Sequence, residues 1–79
     1  MRVRKNIATS EEGFLFNPTT GDSFSTNPIG AEIILLLKKD VSLRDIADQI
    51  CEKYDVDRSL FERDLEDFSM QLKDFSILE

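Results

Sequence analysis

The chain has no histidine and no tryptophan, and it has one cysteine, Cys51. It therefore lacks the His/Cys ligand set of a zinc site and the histidine that commonly activates a catalytic serine or cysteine. A single cysteine excludes an internal disulfide, which is typical of a reducing compartment, so we expect the cytoplasm and a buried, structural thiol. No P-loop, GxGxxG motif or calcium loop is present. We predict a protein that is not an enzyme and that needs neither metal nor cofactor.

Positive charge and long apolar runs are also scarce. Ten Lys and Arg stand against sixteen Asp and Glu, a net charge of −6, and such a chain repels a phosphate backbone. The longest apolar run, 33–37, is far shorter than the ~20 residues that span a bilayer, and no signal-peptide pattern follows Met1. We expect neither nucleic acid nor a membrane as a partner.

The 79 residues, of which 41% are hydrophobic, suit one small globular domain over residues 1–79. In the first third, side chains alternate with period two and are interrupted by turn-like segments at 10–13 and 17–21. This pattern predicts a three-stranded antiparallel meander over about residues 3–26. The first and third strands of a meander lie at its edges.

After residue 26 the apolar residues take helical spacing. Asn27-Pro28 and Ser42 are helix-start signals, and the third helix is predicted to start at Asp57, or alternatively at Ser59. The apolar positions predict helices over about 28–38, 43–54 and 58–74. Strands followed by helices predict the α+β fold class.

The segment Gly21-Asp22-Ser23-Phe24, at the start of the third strand, admits more than one interpretation. It is similar to the Asp-Ser-Leu motif of acyl and peptidyl carrier proteins, with Ser23 as the phosphopantetheine site. Against this, the residues before it are strand-like, and Asn27-Pro28 delays the following helix. The segment is also a sheet edge to which an extended peptide could add as a fourth strand. From the pattern alone, an edge that only ends the sheet is a further alternative.

A series of short motifs runs in order from Phe14 to Leu78. It comprises an Asn-Pro-x-x-Gly turn, an aromatic residue, Asn-x-x-Gly-Ala-x-Ile opening a helix, Ile-Ala in a Ser-capped helix, a Tyr-Asp-Val-Asp link, and Asp-x-x-x-Phe in the last helix. The residues concerned are Asn17, Gly21, Phe24, Asn27, Gly30, Ala31, Ile33, Ile46, Ala47, Tyr54, Val56, Asp64, Phe68 and Leu72. This series resembles the PqqD family, the coenzyme PQQ synthesis protein D-like proteins.

The resemblance implies a winged-helix-like, non-catalytic domain that recognises peptides. Such domains capture the leader of a ribosomally made precursor peptide and present it to a modifying enzyme, often a radical SAM enzyme. The founding member acts in this way in pyrroloquinoline quinone biosynthesis. A winged-helix-like shape also raises DNA binding as an alternative, but the acidic third helix argues against it.

The resemblance also implies where the peptide binds. The leader is expected to add to the third strand and to lie against the third helix. The implied peptide-binding residues of this chain are Asp22, Ser23, Phe24, Ser25, Thr26, Asp64, Leu65 and Phe68.

Overall fold

The structure, a computed structural model, describes residues 1–79. Three strands come first: β1 (Ala8–Thr9), β2 (Phe14–Asn17) and β3 (Asp22–Ser25). Three helices follow: α1 (Pro28–Lys38), α2 (Leu43–Lys53) and α3 (Arg58–Asp74). The strands form one antiparallel sheet in the order β1-β2-β3, so β1 and β3 are its edges. The α+β class and the order of the three-stranded meander are confirmed, and the helix ranges are confirmed to within a residue. No helix has the length and apolar character needed to cross a membrane.

Each helix begins at the predicted residue because a side chain caps it. The side chains of Asn27, Ser42 and Asp57 each accept a hydrogen bond from the backbone N–H three residues later, at 2.7, 3.2 and 3.0 Å. These bonds satisfy N–H groups that have no partner inside the helix. Asp57, rather than Ser59, is therefore the residue that caps the start of α3.

The first strand is shorter than predicted. Val3 forms a single antiparallel bridge with Leu78, and the Arg4 N–H donates to the Ile77 carbonyl at 2.8 Å. A turn follows, in which the Ile7 N–H donates to the Arg4 carbonyl at 3.1 Å. The prediction of a meander strand from residue 3 was thus wrong. These residues pair with the end of the chain, and a local pattern does not reveal so distant a partner.

One hydrophobic core lies between the inner face of the sheet and the helices. Ile77 and Leu78, near the C-terminus, are part of this core, and so is Val3, which forms the bridge with Leu78. Cys51 was expected to be buried but is only half-buried, at the margin of the apolar face of α2. The core residues are Val3, Ile7, Leu15, Ile33, Ile34, Leu37, Ile46, Ala47, Ile50, Phe61, Leu65, Leu72, Ile77 and Leu78.

A polar contact joins α1 to the end of α2. Glu32 Oε1 accepts hydrogen bonds from the Lys53 ammonium and, at 3.1 Å, from the Tyr54 hydroxyl. The bond from Lys53 lowers the pKa of Glu32 although partial burial opposes the shift. A carboxyl group whose pKa is lowered by folding stabilises the fold at pH values above its ordinary pKa. This stabilisation is lost as the pH falls through the lowered pKa. The contact is open to solvent and its contribution is small.

Gly30 is buried in the first turn of α1, where the absence of a side chain lets Thr26 approach the helix. A Cβ at Gly30 would overlap Thr26 Oγ1 and would lie 3.0 Å from Thr26 Cβ and 3.2 Å from Asn27 Oδ1. We expect Gly30→Ala to lower the free energy of unfolding by about 1–2 kcal/mol, because crowding of this kind outweighs the gain in helix propensity. Urea denaturation measures the change. The double variant with Thr26→Ala should recover part of the loss, and unchanged stability of Gly30→Ala would contradict this packing.

Candidate functional site

The free edge of β3 presents backbone groups at Ser23 and Ser25. Thr26 N–H donates to the Gly13 carbonyl at 2.9 Å. In an antiparallel pair, backbone hydrogen bonds to the neighbouring strand recur at every second residue, so Phe24 is bonded to β2 as Thr26 is bonded to Gly13. The two serines between and beside them direct their N–H and C=O groups away from β2. Neither serine makes a backbone hydrogen bond outside the sheet. The edge therefore offers two donors and two acceptors to an added strand.

The side chains of β3 alternate between the two faces of the sheet. Ser23 and Ser25 are exposed on the outer face, whereas Phe24 is half-buried against the core. The ring centroid of Phe24 lies 4.7 Å from that of Phe75, with the planes tilted by 46°. Since Phe75 directly follows α3, this aromatic pair holds the end of α3 against the inner face of β3.

Ser23 lies inside a strand and not at the head of a helix. The residues before it form β2 and a turn, and α1 starts five residues later, at Pro28. A carrier-protein serine stands where a helix begins. The geometry of Ser23 therefore gives no support to the phosphopantetheine alternative.

An open groove of about 470 Å³ lies between the end of β3, the first turns of α1 and the part of α3 up to Phe68. Apolar side chains form most of its walls, and α3 supplies one whole side. The groove begins at the residue that follows β3, so it continues the strand edge. The lining residues are Thr26, Asn27, Ile29, Gly30, Ile33, Val56, Asp57, Leu60, Phe61, Asp64, Leu65 and Phe68.

The residues of α3 divide into a core stripe and a groove stripe. Leu65 and Leu72 are buried and belong to the core stripe; Leu65, 3% exposed, reaches only the floor of the groove. Leu60, Asp64 and Phe68 are spaced by four residues and share the side of the helix that faces the groove. Leu60 is 50% exposed, and Phe68 is half-buried. The groove stripe is the part of α3 that is available to a ligand.

The structure brings the predicted site residues together along one continuous surface. Asp22–Ser25 form the edge, while Thr26, Asp64, Leu65 and Phe68 line the adjoining groove. Their role in peptide binding remains a prediction. Sequence reasoning missed six apolar residues near this surface. Five of them line the groove, and the sixth, Phe75, contacts Phe24; the five are Ile29, Ile33, Val56, Leu60 and Phe61. The four-residue spacing of Leu60 from Asp64 and Phe68 is the signal that could have revealed the groove stripe.

The charged side chains of the groove are all negative. Asp57 and Asp64 line it, and Asp22 stands at the start of β3. Neither groove aspartate has a Lys or Arg within ion-pair distance. Arg58, beside Asp57 in the chain, is held instead by carboxylates of α2 and α3 on the other side of the helix. The groove is thus apolar with a negative rim.

Two solved structures are similar to this one. The structure "TbiB1 in Complex with the TbiA(beta) Leader Peptide" is 32% identical, with a TM-score of 0.91, over 100% of this chain and 95% of that chain. The structure "Lasso peptide synthetase B1 complexed with the leader peptide" is 28% identical, with a TM-score of 0.81, over 92% of this chain and 89% of that chain. Both proteins are therefore in complex with leader peptides. No curated protein sequence matches the chain.

The family model described as Coenzyme PQQ synthesis protein D (PqqD) matches residues 12–78. The matched region contains β2, β3 and all three helices, and so the free edge and the whole groove. It also contains the series of motifs that runs from Phe14 to Leu78. The chain therefore belongs to the PqqD family.

Proposed function

We propose that this chain is a non-catalytic chaperone that captures the leader of a ribosomally made precursor peptide and presents it to a modifying enzyme. The leader adds to β3 as a fourth strand. The observation that carries this proposal is the open edge of β3 beside an apolar groove, in a chain that is 32% identical over its whole length to a protein in complex with a leader peptide. Main-chain hydrogen bonds would supply affinity, and the groove would supply selectivity.

The register of β3 determines which leader side chains enter the groove. Leader residues that bond to Ser23 and Ser25 share the outer face with these serines. Leader residues opposite Phe24 and Thr26 point to the other face, toward Leu60 and the rest of the groove stripe. Every second residue of the bound segment is therefore read by α3.

The chemistry is assigned to the partner enzyme. The groove has no histidine, cysteine, serine or lysine among its lining residues, so it offers neither a thiol nor a nitrogen base that would activate a hydroxyl. A radical SAM enzyme, as in pyrroloquinoline quinone biosynthesis, is the partner that the family resemblance implies. Another component of a lasso peptide synthetase is a second candidate, because the similar chain in one structure is named B1 of such a synthetase. We propose the cytoplasm as the compartment, since the chain has one cysteine and no disulfide.

Amide NMR of the ¹⁵N-labelled protein tests leader capture. The probe is a synthetic leader of the precursor peptide encoded beside the gene, and a scrambled leader of the same composition is the control. We expect saturable shifts at Asp22–Thr26 and at Leu60, Asp64 and Phe68, with the scrambled peptide giving none. Absent shifts, or shifts confined to β1 and α2, would overturn the proposed function.

A further inference from the structure

We infer that the leader segment held in this groove carries a Lys or Arg at a groove-facing position beside an apolar anchor, and that Asp64 recognises this cation. The inference rests on the proposed function and names the chemistry of the peptide that the site selects. The supporting observation is that apolar side chains form most of the groove and that its only charged groups are carboxylates.

Asp64 is the carboxylate that is free to pair. Asp57 accepts the capping hydrogen bond from the Leu60 N–H at 3.0 Å, and the positive end of α3 partly offsets its charge. Asp64 lies seven residues further on, about 10 Å along the helix axis. Its side chain makes no ion pair, and it stands in the middle of the groove stripe between Leu60 and Phe68.

A purely apolar segment would cover Asp64 and remove water from its carboxylate without replacing the lost contacts, which costs free energy. A Lys or Arg avoids this cost. Its methylene stem can lie on the apolar walls formed by Leu60 and Phe68 while its charged end reaches the carboxylate. The charge of −6 on the whole chain acts in the same direction, because it attracts a basic segment and repels an acidic one.

The strand geometry sets the spacing of the cation from the anchor. Side chains on one face of a strand recur at every second residue, about 7 Å apart. The groove faces one side of the added strand only. The basic residue should therefore stand two residues from an apolar residue in the leader, an apolar-x-basic or basic-x-apolar pattern.

The test is fluorescence anisotropy with the labelled leader of the adjacent precursor and with versions in which each Lys or Arg is replaced by Gln. At about 50 mM salt we expect one such replacement to weaken binding by about two- to fivefold, the size of an exposed ion pair. Asp64→Asn should weaken the intact leader by a similar factor. In Asp64→Asn the same leader replacement should have no further effect, because the two changes remove one interaction.

Glu66→Gln is the matched control. Glu66 is on the same helix and loses the same charge, but it faces the cleft between α2 and α3 and not the groove. The leader replacement should therefore weaken binding to Glu66→Gln as much as binding to the unaltered protein. Equal affinity for charged and neutral leaders, with the β3 amides still shifted, would overturn the inference and leave leader capture standing. Failure of the intact leader to bind would overturn the proposed function itself, and the inference with it.

Discussion

Replacing Ser23 by proline is expected to weaken leader binding by about tenfold or more while leaving the domain folded. Proline has no N–H, and the Ser23 N–H is one of the two donors that the edge offers to an added strand. The loss of one hydrogen bond accounts for up to roughly tenfold, and the ring also stands in the path of the incoming backbone. The hydrogen bonds between β3 and β2 are not affected, because the backbone N–H and C=O groups of Ser23 point away from β2. Anisotropy with the labelled leader measures the loss.

Two further variants make this result specific to the edge of β3. Thr9→Pro changes the opposite edge, since Ser10 bonds to β2 and the neighbouring Thr9 points outward, and it should leave binding unchanged. Ser23→Ala keeps the N–H and should have little effect. A loss with Ser23→Ala as large as with proline would contradict strand addition and would revive a role for the hydroxyl. If circular dichroism shows Ser23→Pro to be unfolded, Ser25→Pro removes the other outward donor and tests the same claim.

Replacing Leu60 by asparagine is expected to weaken leader binding by about three- to tenfold with little change in stability. Leu60 is half exposed in the free protein, so it adds little to the core, yet it lines the groove. Complete burial of a leucine side chain contributes about 1.5–3 kcal/mol, so covering the exposed half of Leu60 contributes about half of that, most of which asparagine loses. Titration calorimetry with the synthetic leader measures the affinity, and urea denaturation measures the stability.

Met70→Asn is the control for Leu60→Asn. Met70 is on the same helix and is 58% exposed, but it does not line the groove. Replacing Met70 by asparagine removes a similar amount of exposed apolar surface and should leave the affinity for the leader unchanged. Equal losses for Leu60→Asn and Met70→Asn would show that the groove does not select the leader.

The helices could be predicted from sequence because their signals are local. Asn27, Ser42 and Asp57 each cap the helix that they precede, and the bond involved spans three residues. The meander order likewise follows from two short turns. The N-terminal segment could not be predicted from local signals, because Val3 pairs with Leu78 at the other end of the chain. No periodicity within residues 3–7 identifies that partner.

The strand edge of the site was predictable, whereas the groove was only partly so. In a three-stranded meander the third strand is an edge, so Asp22–Ser25 followed from topology. On α3, Phe61 and Leu60 are adjacent apolar residues, and which of them faces the core depends on how the helix is rotated against α1 and α2. Phe75 is 49% exposed, and its ring contacts that of Phe24, which lies about fifty residues earlier in the chain. Such contacts between distant elements become visible only in three dimensions.

Amide hydrogen exchange at Ser23 and Ser25 tests the central claim most directly. In the free protein their N–H groups point away from β2 and should exchange rapidly, whereas the Phe24 N–H is bonded to β2 and should be protected. With saturating leader, strand addition should protect Ser23 and Ser25 and change Phe24 much less, because a fourth strand bonds to the outward groups alone. If the leader binds and both serine amides remain unprotected, the peptide does not add to β3 and the account is wrong.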